Sequence, residues 1–353
     1  MKKSAIVLAV AAGLGVSAAQ AVTTLYGSAR VSVNFIAENI REEDDLHAEL
    51  VNNSSRLGVR GSEDLGNGLS AIYRYEFGVN PVTDAGGAYF NSDRPRFVGL
   101  EGPFGTLRFG AMFTPEYEVT GLIDIFNGSM SAIASSTSFR IGNQIRYDSP
   151  SFGGFVLSGA VSVRGFEDDP DTDDEEFIDR FNIAGVFSSG PIIAGATYYQ
   201  DSGADETGKR WAVNVGYDAG PFGVGFVYER GNFFGDSSSG TASVPTVADV
   251  SLNDSNFEEG DDYFNIFQLA ADYSFGNSTV RGYVAYQLYD DDDTAWFVGS
   301  DGVDDPQEED ALLFWALGFQ HNLSRRTRVW AEYGGRNEPD TLHTVSIGIR
   351  HDF

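Results

Sequence analysis

The last ten residues, TVSIGIRHDF, alternate in character. Val345, Ile347, Ile349 and Phe353 share one face, interrupted only by His351, while Thr344, Ser346, Gly348, Arg350 and Asp352 share the other. A side-chain period of two belongs to a β-strand. An unpaired strand edge invites aggregation, so this strand must be paired. In a closed barrel the last strand pairs with the first, and one apolar face then means either a dry core inside or lipid outside.

The same pattern recurs along the chain and decides between the two. LYGSARVSVNF sets Leu25, Ala29, Val31, Val33 and Phe35 against Tyr26, Ser28, Arg30, Ser32 and Asn34, and LSAIYRYEF sets Tyr73, Tyr75 and Phe77 against Arg74 and Glu76. FVLSGAVSVRG, KRWAVNVGYD and STVRGYVAYQLY repeat it, with Arg164, Arg210, Asn214, Arg281 and Gln287 on the polar faces. Burying an unpaired charge in a dry core costs several kcal/mol, whereas water inside the barrel costs little. The polar faces therefore point to an aqueous lumen and the apolar faces to lipid. A soluble sandwich would place its hydrophobic residues inside instead.

Connections alternate in length. GPFG (102–105), SSGP (188–191), DAGP (218–221) and FGNS (275–278) are short, whereas the stretches near 38–52, 81–92, 112–140, 166–178, 232–261 and 290–310 are long. Tight turns on one rim and extended loops on the other are expected of an outer-membrane barrel. The spacing predicts an all-β, antiparallel transmembrane barrel of about sixteen strands, with both termini on the short-turn side and a channel rather than a packed interior.

Residues 1–21 read as a secretory signal, with Lys2 and Lys3 before a short apolar run and Ala19-Gln20-Ala21 around a cleavage point. Cleavage leaves 22–353 as one barrel domain. No later segment supplies the roughly 20 apolar residues of a spanning helix. Without cysteine the exported chain holds no disulfides. The 52 acidic against 23 basic residues, a formal charge of -29, argue against nucleic acid as a partner. The four histidines show no metal-ligand spacing, and neither a nucleophile arrangement nor a phosphate loop is present. The expectation is no enzyme and no cofactor.

Five stretches carry a resemblance that extends over essentially all of 22–353: LYGSARVSVNF (25–35), SSRLGVRGSEDLGNGLSAIYRYEFG (54–78), RFVGLEGPFGTLRFG (96–110), IRYDSPSFGGF (145–155) and SIGIRHDF at the end. The chain resembles the general trimeric porins of Gram-negative outer membranes. That resemblance implies a homotrimer of sixteen-stranded barrels, each with its own pore, and a carboxyl-terminal Phe353 presented to the barrel-insertion machinery. It also implies a third extracellular loop folded into the barrel, with acidic residues facing basic ones on the wall.

The matching loop is 112–140, and its acidic residues are Glu116, Glu118 and Asp124. Of the enteric porins' PEFGG turn only Pro115-Glu116-Tyr117 remains, which makes Glu116 the best match. On the wall, Arg56 and Arg60 share a phase, as do Arg94 and Arg96, and Arg140 and Arg146, while Arg30 and Arg74 come from neighbouring strands. By resemblance, Arg56, Arg96 and Arg140 fall where the family keeps its basic cluster. The cluster implies a field across the constriction, and pairing of these arginines with acids inside the barrel is compatible with it.

Acidic runs concentrate in the long connections, at 41–45, 167–176, 258–262, 290–293 and 304–310. They read as a solvated rim that also forms an electrostatic funnel, raising cation concentration at the mouth. Asp169, Asp171, Asp173 and Glu175 supply oxygen ligands suited to Ca²⁺, although without EF-hand spacing. Divalent bridging from such rims to lipopolysaccharide follows the same chemistry. The sequence thus predicts an outer-membrane diffusion porin for ions and small hydrophilic solutes, with a cation preference. The alternatives are a sugar- or nutrient-selective porin and a structural or adhesive barrel.

Overall fold

The computed structural model describes residues 22–40, 43–82, 90–91, 94–128, 139–163, 178–202, 208–232, 263–289, 297–298, 304–305, 311–337 and 341–353. Eighteen strand segments form one antiparallel sheet. Two wall strands are each interrupted once, so the wall has sixteen strands. They are β1 (Val22–Ile40), β2 (Glu43–Asn52 and Arg56–Gly66), β3 (Leu69–Val79) and β4 (Phe90–Asn91 and Arg96–Gly102). There follow β5 (Gly105–Phe113), β6 (Arg140–Asp148), β7 (Phe155–Val163), β8 (Ile178–Ser189), β9 (Ile192–Asp201) and β10 (Gly208–Ala219). The last six are β11 (Phe222–Asn232), β12 (Tyr263–Phe275), β13 (Ser278–Tyr289), β14 (Ala311–Asn322), β15 (Thr327–Asn337) and β16 (Thr341–Asp352).

β16 pairs with β1 from Ser28 and Asp352 to Asn39 and Thr341, which closes the barrel. Phe353 completes the seam: its backbone N–H donates to Gly27 O and its carbonyl accepts from Gly27 N–H, both at 3.0 Å. Closure leaves the sheet no edge, which answers the liability of a terminal strand. Val345, Ile347, Ile349 and Phe353 are exposed on the outside, as are Leu25, Val33 and Phe35. Ser28, Ser32, Asn34 and Ser346, on the opposite faces, are buried.

One expected long connection is largely strand among the described residues. β1 and β2 remain paired up to Ile40 and Glu43, so 38–40 and 43–52 belong to the wall rather than to a loop. β2 breaks lower down, where Ser54 takes a left-handed φ of 67°. There side chains replace ladder bonds. Ser55 Oγ accepts from Arg30 N–H at 2.8 Å, and Asn53 Nδ2 donates to Ser32 Oγ at 2.8 Å.

The short-turn rim depends on glycine at Gly105, where φ is +107° and an added Cβ would lie 2.2 Å from the Asp148 carbonyl oxygen. The strained φ alone costs a non-glycine residue about 1–3 kcal/mol. Gly105→Val is therefore expected to lower the urea midpoint of the folded barrel. An unchanged midpoint would show that this turn carries no such constraint.

After β5 the chain forms a short helix, α1 (Pro115–Thr120), and a 3-10 turn (Gly121–Ile123). Thr114 Oγ1 caps the helix by accepting from Tyr117 N–H, and Pro115 occupies its first turn. Ile123 belongs to one buried cluster with Val227, Phe264, Ile266, Tyr283 and Phe314 of the inner wall, and Phe126 packs against that cluster. This is the main apolar cluster among the described residues, and it lies between this segment and β11 to β14.

Candidate functional site

Residues 114–128 are fastened to the inner wall at successive points. At one end, Glu116 is buried, and its carboxylate accepts from Arg210 Nε at 3.1 Å and Nη2 at 3.2 Å. Its backbone N–H donates to Asn182 Oδ1 at 2.6 Å. Arg210 in turn lies 4.3 Å from the centre of the Tyr199 ring. Further along, Asn214 Nδ2 donates to Val119 O at 2.6 Å. Leu122 rests over Gly216 and Gly225, where added Cβ atoms would come within 3.1 and 2.8 Å of its side chain. At the far end, the backbone N–H groups of Asn127 and Gly128 both donate to the Glu332 carboxylate at 2.8 Å. The segment thereby crosses the inner face from β8 to β15.

Of the three loop acids, Glu116 serves as this buried anchor, while Glu118 and Asp124 are exposed. Glu118 pairs with Arg146, whose Nη2 also donates to Asp148 at 2.7 Å and whose Nη1 donates to Phe113 O at 2.8 Å. Asp124 accepts from the Tyr117 hydroxyl at 2.9 Å. Tyr117 stacks on Phe113 with ring centres 4.8 Å apart. Enclosure by the wall pushes the Asp124 carboxyl above its ordinary range, opposed by the Tyr117 hydrogen bond and then by the positive fields of Arg30 and Arg56. Those two wall arginines act on the loop carboxylate through space.

The wall cluster centres on Glu76, which is buried. Arg74 Nη2 donates to it at 2.6 Å, the Tyr26 hydroxyl donates at 2.7 Å, and Arg56 Nη1 lies 3.6 Å away. Arg60 lies over the Tyr26 ring at 5.2 Å. Arg30 donates to Ser28 Oγ at 2.9 Å and feels the like charges of Arg56, Arg350 and Arg94. Arg94 is buried on this inner side. The structure therefore brings Arg30, Arg56, Arg60, Arg74 and Arg94 together.

Arg96 and Arg140 depart from simple alternation. Arg96 pairs directly with Tyr75 and Ala111, and its strand mate Val98 is exposed beside Tyr73. Directly paired residues share a face, so Arg96 lies on the outer face with Tyr75. The ladder starts afresh at Arg96 after Pro95, whose carbonyl accepts from Glu76 N–H, and this breaks the phase from Arg94. An extra residue between Ile141 and Gln144, with Asn143 at φ 52°, likewise separates Arg140 from Arg146. Arg140 lies instead 5.3 Å over the Phe113 ring.

Asp148 and Glu332 are site residues that the sequence did not single out, and it places Glu76 and Arg210 on polar faces without a partner or a role. All four lie on the lumen-facing phase of their strands, which was the available signal. Among the described residues no cluster of histidine, cysteine or acid fits a metal ion. Asp169, Asp171, Asp173 and Glu175 lie outside the described residues.

A closed barrel with an apolar exterior and a lumen lined by paired charges is a membrane channel of the porin class. The family profile described as Gram-negative porin matches residues 4–341, and the chain belongs to that family. It is 27% identical to outer membrane porin protein 32 of Delftia acidovorans, over 100% of both chains. It is 28% identical to the major outer membrane protein P.IB of Neisseria meningitidis serogroup A, again over 100% of both. The solved structure of an anion-selective porin from Comamonas acidovorans shares the fold, with a TM-score of 0.66 and 22% identity over 95% of this chain and 100% of that one. The protein is an outer-membrane porin channel and not an enzyme.

Proposed function

We propose that the channel passes ions and small hydrophilic solutes by passive diffusion, narrowed by the loop 112–140 and preferring cations. The observation that carries this reading is the position of Asp124, exposed on the loop and within the fields of Arg30 and Arg56 on the wall. Opposed charges across a narrow aqueous gap orient water and solutes without a chemical step. The preference for cations is drawn from the excess of 52 acidic over 23 basic residues and from the pairing of wall arginines with Glu76, Asp148 and Glu116. Diffusive passage gives a single-channel conductance that rises in proportion to bulk conductivity. Saturation at high solute would indicate a binding site and the nutrient-selective alternative.

Asp124 also gives the reading a pH dependence. A carboxyl held above its ordinary range loses its charge earlier as pH falls, so cation preference is expected to begin declining at a pH above the usual carboxylate titration near 4. Asp124→Asn is expected to reproduce at neutral pH what acid does to the wild type. If reversal potentials of the variant and wild type agree at neutral pH, Asp124 does not set the field.

We also read the assembly as a homotrimer, and Arg96 supports this. It stands at the start of the run Arg96–Gly102, roughly 15 Å above the turn and near the middle of an apolar band about 25 Å tall. An arginine facing lipid at that depth costs about 2–4 kcal/mol. A second copy covering β3 to β5 removes that cost. Light scattering in detergent is expected to give three chains per particle, and a monodisperse monomer would refute the assembly.

A further inference from the structure

Most cations of the described wall face the lumen, and two of the exceptions stand side by side. Trp211 pairs directly with Arg230 and is exposed on the outer face, and Lys209 shares that phase two residues away on β10. Diagonal neighbours on one face of an antiparallel pair lie about 7–8 Å apart, so both charges can converge on one small group. Lys209 is exposed and is the only lysine beyond Lys3. Arg230 is mounted on its neighbours: Nη1 donates to Asn265 Oδ1 at 2.8 Å, and its guanidinium lies 4.8 Å from the centre of the Tyr263 ring. The Tyr228 hydroxyl donates to the same Asn265 oxygen at 2.9 Å, which fixes the amide. A guanidinium held in this way loses less freedom when it pairs with an anion.

The height of the pair matters as much as its charge. Lys209 is next to the upper end of β10, Gly208–Ala219, and so about 25 Å above the short turn, at the top of the apolar band. Beneath it Trp211, Tyr228 and Phe267 form a continuous aromatic strip, with ring centres 5.1 and 4.8 Å apart. Aromatic side chains of this kind sit at the boundary between headgroups and hydrocarbon.

We propose that Lys209 and Arg230 seat the phosphate of an outer-leaflet lipid directly, its acyl chains lying over Trp211, Tyr228 and Phe267. No bridging divalent cation is needed, because both ligands are cationic and a phosphate accepts charge-assisted hydrogen bonds from each. The proposal rests on the orientation that places the long loops outside, and channel conductance in the same preparations reports on the channel reading independently.

The test uses the purified protein in neutral detergent micelles containing a chelator. Native mass spectrometry then counts phosphatidic acid bound to each chain, against diacylglycerol of the same acyl composition. Wild type is expected to hold phosphatidic acid about tenfold more tightly than diacylglycerol, and K209Q/R230Q to lose that difference. Lys209→Arg, which keeps the charge, is expected to retain it. Conductance equal to wild type certifies the folded barrel of the double variant; if that variant fails to conduct, Lys209→Gln alone carries the test with a smaller loss. The proposal is overturned if the double variant binds like wild type, or if Lys209→Arg loses binding as fully as the double variant. It is equally overturned if the chelator abolishes binding, or if inorganic phosphate at matched concentration displaces the lipid.

Discussion

Arg210→Ala is expected to release the loop at its first anchor, lowering barrel stability and raising single-channel conductance together. The pair is dry, with side chains 7% exposed for Arg210 and 1% for Glu116. Removing one partner leaves the other charge buried and uncompensated, at a cost of about 3–5 kcal/mol. The loop can avoid most of that cost only by lifting Glu116 into water, which widens the lumen. Replacing both partners by apolar residues, as in Glu116→Leu with Arg210→Met, removes the uncompensated charge and is expected to restore much of the stability. The urea midpoint and the conductance of the two variants separate these effects. If Arg210→Ala matches wild type in both measurements, the ion pair does not hold the loop.

Glu76→Gln is the second large effect and is expected mainly in selectivity. Glu76 accepts from Arg74 and Tyr26 and faces Arg56, so its loss uncovers two guanidinium charges at once. Glutamine keeps the shape and one acceptor, which holds the stability cost to about 1–3 kcal/mol. The reversal potential is expected to move toward anions by more than it does in Asp124→Asn. An equal or smaller shift would mean that Glu76 is structural and does not set the lumen's charge.

The wall was legible in the sequence because its logic is local. A period of two, with lipid on one side and water on the other, specifies each strand face independently of its partners, and Leu25, Val33, Ile347 and Phe353 fall as that period dictates. Alternation fails where the ladder is interrupted. Pro95 reverses the phase between Arg94 and Arg96, and the bulge at Asn143 does so between Arg140 and Arg146. Neither break is visible in hydrophobicity alone.

Much of the loop's attachment was not legible, because it depends on contacts between distant parts of the chain. Nothing near Glu116 marks Arg210 as its partner, and Glu332 receives Asn127 and Gly128 from across the barrel. The polar phase of β10 placed Arg210 in the lumen, but which acid it meets depends on the loop's path. For the same reason the most familiar loop carboxylate lies buried against the wall, and Glu118 and Asp124 are the ones that meet water.

The most direct test is the reversal potential of the wild-type channel in a planar bilayer under a salt gradient. It is best measured at low ionic strength, where fields reach about 10 Å or more before screening. A cation-preferring aqueous channel makes the dilute compartment positive, and raising the salt on both sides weakens that preference. A dilute compartment that turns negative would contradict the proposed selectivity, and a folded protein that carries no ionic current would contradict the open channel itself.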